Sequence, residues 1–428
     1  MRDAPHYHRA AAMDFAIPSE IVAYLAELDA FIERDIAPLE REHPQYFDHR
    51  REHARTNWDD DGKPRREWED LLDEMRRRAD RAGHLRFALP RALGGRDGSN
   101  LAMAIIREHL AHRGLGLHND LQNESSIVGN FPQVILMHRY GTPAQQDRFL
   151  DAMITGQEAV AFGLTEPDHG SDATWLETTA VRDGTDWVIN GQKRFNTGLH
   201  RATTDLIFAR TSGKPGDARG ITAFLVPTRS PGFEVAFMWW TFNMPTDHAE
   251  VRLTNVRVPD DTILGGEGEG LIVAQAFVHE NRIRQAASSL GAAQYCIDES
   301  VRYARKRIVF GKPLATNQAI QFPLAELHTE AEMVRGLVRR TAWHLDRNDH
   351  LEVSDLVSMA NYRANRLACN AADQAIQVHG GIGYSRHCPF EHIYRHHRRY
   401  RITEGSEEIQ IRKVAGHLFG AMEKGRKA

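Results

Sequence analysis

Six short β-rich runs decide the architecture: TAVRD (179–183), GTDWVINGQKRF (184–195), DLIFAR (205–210), GITAFLVP (220–227), GFEVAF (232–237) and AEVRLTNVRVP (249–259). Val181 and Val188-Ile189 flank Asp183-Gly184-Thr185-Asp186, a hairpin signal with a four-residue connection. Strands at this spacing, with no helical pattern between them, imply an antiparallel barrel or sandwich of about 100 residues.

On either side the period changes from two to 3.6. Upstream, Ile21, Leu25, Leu28 and Ile32 form a helical stripe with Ser19 as the expected N-cap. A charged insert follows and leads into a helix over 71–81, and Ser99-Asn100 caps a helix beginning LAMAIIREHL. Downstream, three long stripes appear: Ala286, Leu290, Ala293, Ile297 and Val301; Leu324, Leu327, Ala331, Val334 and Leu337; and Leu356, Ala360, Ala364, Leu367, Ala371, Ala375 and Val378. Long alanine-rich stripes point to closely packed antiparallel helices. The expected class is therefore α+β: an N-terminal all-α domain over 14–157, a β-barrel or sandwich over 158–264, and a helical bundle over 265–428.

Composition narrows the function. The chain has 428 residues, 54 Lys plus Arg against 58 Asp plus Glu, and 41% hydrophobic residues. That balance argues against nucleic acid or an anionic membrane surface as the main partner. No apolar run approaches the roughly 20 residues of a membrane span. The basic start lacks an apolar stretch of the secretory kind, and Met13 is a second candidate start. Cys296, Cys369 and Cys388 are odd in number and far apart, which fits a reducing, cytoplasmic setting.

Several motifs are weaker than they look. Asn57, Asp59, Asp61 and Gly62 mimic a calcium loop, but Trp68 stands where the bidentate Glu belongs, so a solvated acidic turn is expected. His392 and His396, spaced i, i+4, lack the companions of a zinc motif and read as a solvated or interfacial helix; no metal is assigned. GGEGEG (265–270) is not a dinucleotide fingerprint. RHHRRYR (395–401) reads as a helix face.

Five segments remain: AFGLTEPDHGSD (161–172), VINGQKRFNTG (188–198), RIVFGKPLATNQAIQF (307–322), IQVHGGIGY (376–384) and RITEGSEEIQIRKVAGHLF (401–419). Together they resemble the acyl-CoA dehydrogenase family across nearly the whole chain, and the α, β, α-bundle order, with a four-helix bundle at the C-terminus, is that family's. SDAT (171–174) and DHAEV (247–251) look closer to the subgroup with kinase-fused relatives.

The resemblance implies FAD, with Phe162, Leu164 and Thr165 along the isoalloxazine and Ser171 at the flavin phosphate side or the CoA chain. Phe195 stands where the family usually has Trp, and Thr197 brings a hydroxyl to flavin N5. Arg307, with Phe310 and Gln318 in the same run, would reach the FAD pyrophosphate across a dimer interface, where a bidentate guanidinium suits the dianion. Gln377, Gly380 and Gly381 would hold the adenosine half, joined by Ser406 and Glu408, the latter replacing a frequent glutamine.

The base implied is Glu404, whose carboxylate takes the α-proton of an acyl-CoA thioester while the β-carbon gives hydride to N5. Its backbone N–H and an FAD ribose hydroxyl would bind the thioester carbonyl. Gly405 allows the turn, Arg282 matches an arginine near the CoA-binding face, and Glu280 is a second, off-register base candidate. Electron-transfer flavoprotein is the implied acceptor, and a dimer or tetramer the implied state. A flavin monooxygenase or oxidase on the same fold, or an assembly protein without flavin, are the competing readings; Thr197, Arg307 and Glu404 together weigh against the last.

Overall fold

The computed structural model describes residues 16–119 and 125–420; Met13 lies outside them. The longer N-terminal helices are α1 (Ser19–Phe31), α2 (Arg66–Arg81), α3 (Asn100–His112), α4 (Pro132–Tyr140) and α5 (Pro143–Thr155). Pro18, not Ser19, occupies the N-cap of α1; Ser19 is the first helical residue. α2 starts five residues earlier than its periodicity suggests and buries Trp68, Leu71, Leu72, Met75 and Ala79 on one face. Trp68 is thus a core residue, with the Arg55 guanidinium 4.0 Å from its ring centroid. At α3 the expected cap is present: Ser99 Oγ accepts from Ala102 N–H at 3.1 Å.

The charged insert is a staple. Its tight turn pairs Thr56–Asn57 with Lys63–Pro64. Asp61 Oδ2 accepts from Met238 N–H at 2.6 Å, Trp240 Nε1 donates to Asp61 O at 3.0 Å, and Thr246 N–H donates to Gly62 O at 2.9 Å. Glu52 meanwhile binds Arg386 and Arg395 at 2.9 and 3.1 Å. The acidic turn is therefore docked onto the sheet.

The middle region is one seven-stranded sheet: β1 (Val160–Gly163), β2 (Thr179–Asp183), β3 (Asp186–Thr197), β4 (Thr204–Arg210), β5 (Ile221–Pro227), β6 (Phe233–Met238) and β7 (His248–Pro259). β2, β3, β7 and β6 pair antiparallel in that order, and β4 pairs antiparallel with β5. The sheet is not wholly antiparallel, however. β1 runs parallel to β4, from Val160↔Thr204 to Gly163↔Ile207, and β2 meets β4 in parallel at Thr179↔Arg210. The β2–β3 hairpin closes through two residues rather than four, because Asp183 and Asp186 themselves pair and Gly184 takes φ +67°.

The C-terminal bundle contains α6 (Gly270–Lys306), α7 (Gln318–Leu345), α8 (Ser354–His379), α9 (Phe390–Tyr400) and α10 (Glu407–Leu418). Ala286, Leu290, Ala293 and Ile297 of α6 are buried in one cluster with Ala364, Leu367, Ala371 and Ala375 of α8. Small side chains bring the backbones close, and α3 joins at Gly291, where a Cβ would stand 2.2 Å from Glu108 O. On α9 the histidines are neither solvated nor interfacial: His392, His396 and His397 are 2%, 1% and 0% exposed. His397 Nδ1 bonds Ser289 Oγ at 2.9 Å and His396 Nε2 bonds Tyr400 OH at 3.0 Å. Burial holds all three well below the usual imidazole range, so they serve as neutral core groups.

Candidate active site

Strand β3 carries the site through a bulge at Phe195. Trp187, Ile189 and Lys193 point inward, so strict alternation would send Phe195 and Thr197 inward too. Instead Arg194 pairs with Glu250 and Asn196 with Ala249, leaving Phe195 as an extra residue at φ +64°. The phase flips: Asn196 is buried, while Phe195 and Thr197 are exposed. The Phe195 ring leans on Trp239 at 5.4 Å between centroids.

Beneath that surface lies a polar floor that sequence reasoning missed. Lys193, 0% exposed, donates from Nζ to Glu166 Oε1 at 2.8 Å and Leu164 O at 3.2 Å. Glu166 also accepts from Glu177 and Thr178 N–H, and Arg194 N–H donates to Thr165 O at 2.9 Å. The segment carrying Leu164 and Thr165 is thereby tied to β3. Asn196 Nδ2 donates to Asp205 Oδ2 at 2.6 Å; burial pushes the Asp205 carboxyl up to about 7. The only sequence signal was charged residues at inward-facing strand positions. Phe162 packs inward on Phe277, 4.2 Å away and nearly parallel, while Ser171 is exposed.

Glu404 sits in the turn between α9 and α10, at φ +55°, followed by Gly405 at φ +86°. Two successive left-handed residues reverse the chain within two peptide units. Arg282 of α6, 6% exposed, donates from Nε and Nη2 to the Glu404 carbonyl at 2.8 and 2.5 Å. Burial lowers the Arg282 guanidinium to about 10, and the nearby Glu404 charge acts the other way. Ser406, not Glu404, is the N-cap of α10, so Glu404 does not serve as a cap. Glu408 is exposed in the first turn. Glu280 is engaged with Arg284 at 3.0 Å.

A cavity of about 680 Å³ opens at Thr197 and Gly198 and runs between α2 and the end of α5. Asn130 on its wall donates to Asn281 Oδ1 at 3.2 Å and accepts from Arg284, so the wall reaches α6 beside Arg282.

The remaining residues named from sequence gather at the other end of the bundle. There Ala304, Leu324 and Val378 form one cluster, and Tyr303 stacks on His379 at 4.3 Å. Arg307 ends α6, Phe310 tips a hairpin between Ile308–Val309 and Lys312–Pro313, Gln318 opens α7, and Gln377 precedes Gly380-Gly381. Gly380 holds φ +65°, and a Cβ on either glycine would meet nothing within 4 Å, leaving open backbone that a ligand can approach. Exposed Arg307, exposed Gln377 and this open backbone fit a phosphate- and ribose-bearing cofactor; exposed Thr197 fits a ring nitrogen.

The comparisons agree with this layout. Residues 18–157 match the model for the acyl-CoA dehydrogenase N-terminal domain, 161–256 that for the middle domain and 268–419 that for the C-terminal domain. The chain belongs to the acyl-CoA dehydrogenase family. It is 33% identical to the 3-(aryl)acrylate reductase of Clostridium sporogenes over 79% of this chain and 88% of that one. Subunit CarC of the caffeyl-CoA reductase–Etf complex of Acetobacterium woodii is 31% identical over 82% and 90%. The acyl-CoA dehydrogenase structure from Geobacillus kaustophilus superposes with a TM-score of 0.76 at 26% identity, covering 95% and 100%. This acyl-CoA dehydrogenase homologue is therefore an oxidoreductase of the FAD-dependent, acyl-CoA-directed class. Among the described residues no helix is long and apolar enough to cross a membrane.

Proposed function

We propose that this enzyme removes the α-proton and the β-hydride of an acyl-CoA thioester, with Glu404 as the base. The observation that carries the reading is the clamped turn: two left-handed residues and a bidentate arginine fix Glu404 in the loop between α9 and α10. FAD, when bound, supplies the hydride acceptor. Thr197, turned outward by the bulge, presents its hydroxyl to flavin N5, with Leu164 and Thr165 alongside. Ser171, exposed beyond β1, meets the CoA chain or the flavin phosphate side. Glu404 holds the proton it removes, and by microscopic reversibility the same group returns it when an enoyl thioester is reduced, the direction named for the caffeyl-CoA reductase relative. Electron-transfer flavoprotein is the partner we assign, in keeping with the complex named for that relative.

The second cofactor anchor comes from another copy of this chain. Arg282 lies on α6 and Arg307 is its C-cap, 25 positions on, roughly 38 Å along a helix rising 1.5 Å per residue. That exceeds the length of an extended FAD, so Arg307, Phe310, Gln318, Gln377, Gly380 and Gly381 serve the partner's flavin. Ile308, Phe310, Phe322, Ile382 and Tyr384 expose apolar surface at that end, Phe310 fully.

The test is anaerobic titration of the yellow protein with acyl-CoAs of graded length, following flavin absorbance. Bleaching by one class, abolished in Glu404→Gln with FAD retained, is the expected result. A flavoprotein that no acyl-CoA bleaches and no enoyl-CoA reoxidises defeats the reading.

A further inference from the structure

The motif DHAEV has a place in the structure that the reaction above does not yet use. Thr197 and His248 are the last cross-strand pair of β3 and β7, and Thr197 Oγ1 lies 3.2 Å from His248 Nδ1. The same nitrogen is 2.9 Å from Asp247 Oδ1. Asp247 is 7% exposed, and its backbone carbonyl accepts from Gly198 N–H at 2.8 Å. Burial pushes its carboxyl up, but the charge and hydrogen bond of His248, with His200 and Arg399 behind, bring it down to about 2. The segment is held from below by the Thr246-to-Gly62 bond of the charged insert.

A bare lone pair 2.9 Å from a carboxylate oxygen is repelled, so Nδ1 carries a hydrogen. Thr197 Oγ1 then accepts from Nδ1 and cannot donate to it. The hydroxyl's other contact, to Phe195 O, is a long 3.4 Å. Its hydrogen is thus left for whatever occupies the open face. We propose that Asp247 and His248 are positioning residues that fix the Thr197 hydroxyl as a hydrogen-bond donor to the flavin; this rests on the assignment of Thr197 to N5. Asp247 and Thr197 face the same nitrogen, so the carboxylate keeps the hydrogen on Nδ1 and the threonine oxygen shares it as a second acceptor.

The test uses holoenzyme reconstituted with FAD labelled with ¹⁵N at N5, because donation to that nitrogen moves its resonance upfield. Thr197→Val marks the position without the bond. His248→Leu and Asp247→Asn should move the resonance toward that position and slow flavin bleaching about tenfold at unchanged KM, the worth of one hydrogen bond. His248→Asn, whose amide replaces the Nδ1 hydrogen, should restore both. A wild-type resonance in His248→Leu, or no rescue by His248→Asn, overturns the proposal. If Thr197→Val leaves the resonance unmoved, the assignment of Thr197 to N5 fails and takes the proposal with it.

Discussion

Arg282 spends two donors on a single backbone oxygen: Nε and Nη2 both reach the carbonyl of Glu404. The geometry identifies Arg282 as the residue that orients Glu404, the base we propose, a role that its match to an arginine near the CoA face did not suggest. Lysine offers a point charge in place of a fork, so Arg282→Lys should keep FAD but slow flavin bleaching roughly 10- to 150-fold, about 1.5–3 kcal/mol for a charged hydrogen bond. Gly405→Ala should mimic it, since its Cβ would stand 2.7 Å from Arg282 Nη2 at a φ of +86°. Stopped-flow absorbance separates rate from binding; an unslowed Arg282→Lys enzyme would sink the orienting role.

The buried pair of Lys193 and Glu166 predicts an asymmetric cycle. Lys193→Met leaves the Glu166 carboxylate buried, with the backbone donors of Glu177 and Thr178 but no counter-charge. That should cost about 3–5 kcal/mol, much of it recovered in Lys193→Met with Glu166→Gln. Urea midpoints at constant slope measure both. A Lys193→Met loss under about 1 kcal/mol contradicts the pairing.

How much of this could be read from the chain varies with the physics involved. Helices of the bundle were legible because Ala286, Leu290, Ala293 and Ile297 repeat at the period of one buried face. The bulge was not. No glycine marks residue 195, and only the pairing of Arg194 and Asn196 with successive β7 residues reveals the change of phase. The parallel contact of β1 with β4 joins residues 44 apart, which no local pattern encodes. Glu404 stood out through the family resemblance alone, and its clamp comes from a helix 122 residues earlier.

Asp205 gives stability a pH dependence. Its folded pKa of about 7 lies above the ordinary value of 3.8, so the folded state holds the proton more tightly than the unfolded chain. The contribution is fully present below about pH 4 and is lost as pH rises toward 7, up to about 4 kcal/mol in all. Asp205→Asn, neutral at every pH, should flatten the wild-type decline over that range in urea unfolding. Gly163→Ala should destabilise at all pH values, because its Cβ would stand 2.6 Å from Asn196 Nδ2. Parallel pH profiles for wild type and Asp205→Asn would show that Asp205 is already ionised at low pH.

In the dimer we propose, the exposed tip of the Ile308–Lys312 hairpin ties oligomerisation to cofactor content. Phe310 is fully exposed at φ +50°, a strained left-handed residue whose aromatic ring packs against nothing among the described residues. Phe310→Glu should place a charge in the subunit interface, release monomers in light scattering and lower bound FAD in proportion. Arg307→Gln should differ: the oligomer persists while FAD dissociates at least tenfold more readily, since one charge-assisted pair to the pyrophosphate is lost. Separating the two variants distinguishes the interface from the anchor. A Phe310→Glu monomer that keeps its full complement of FAD would mean that one chain holds the whole cofactor.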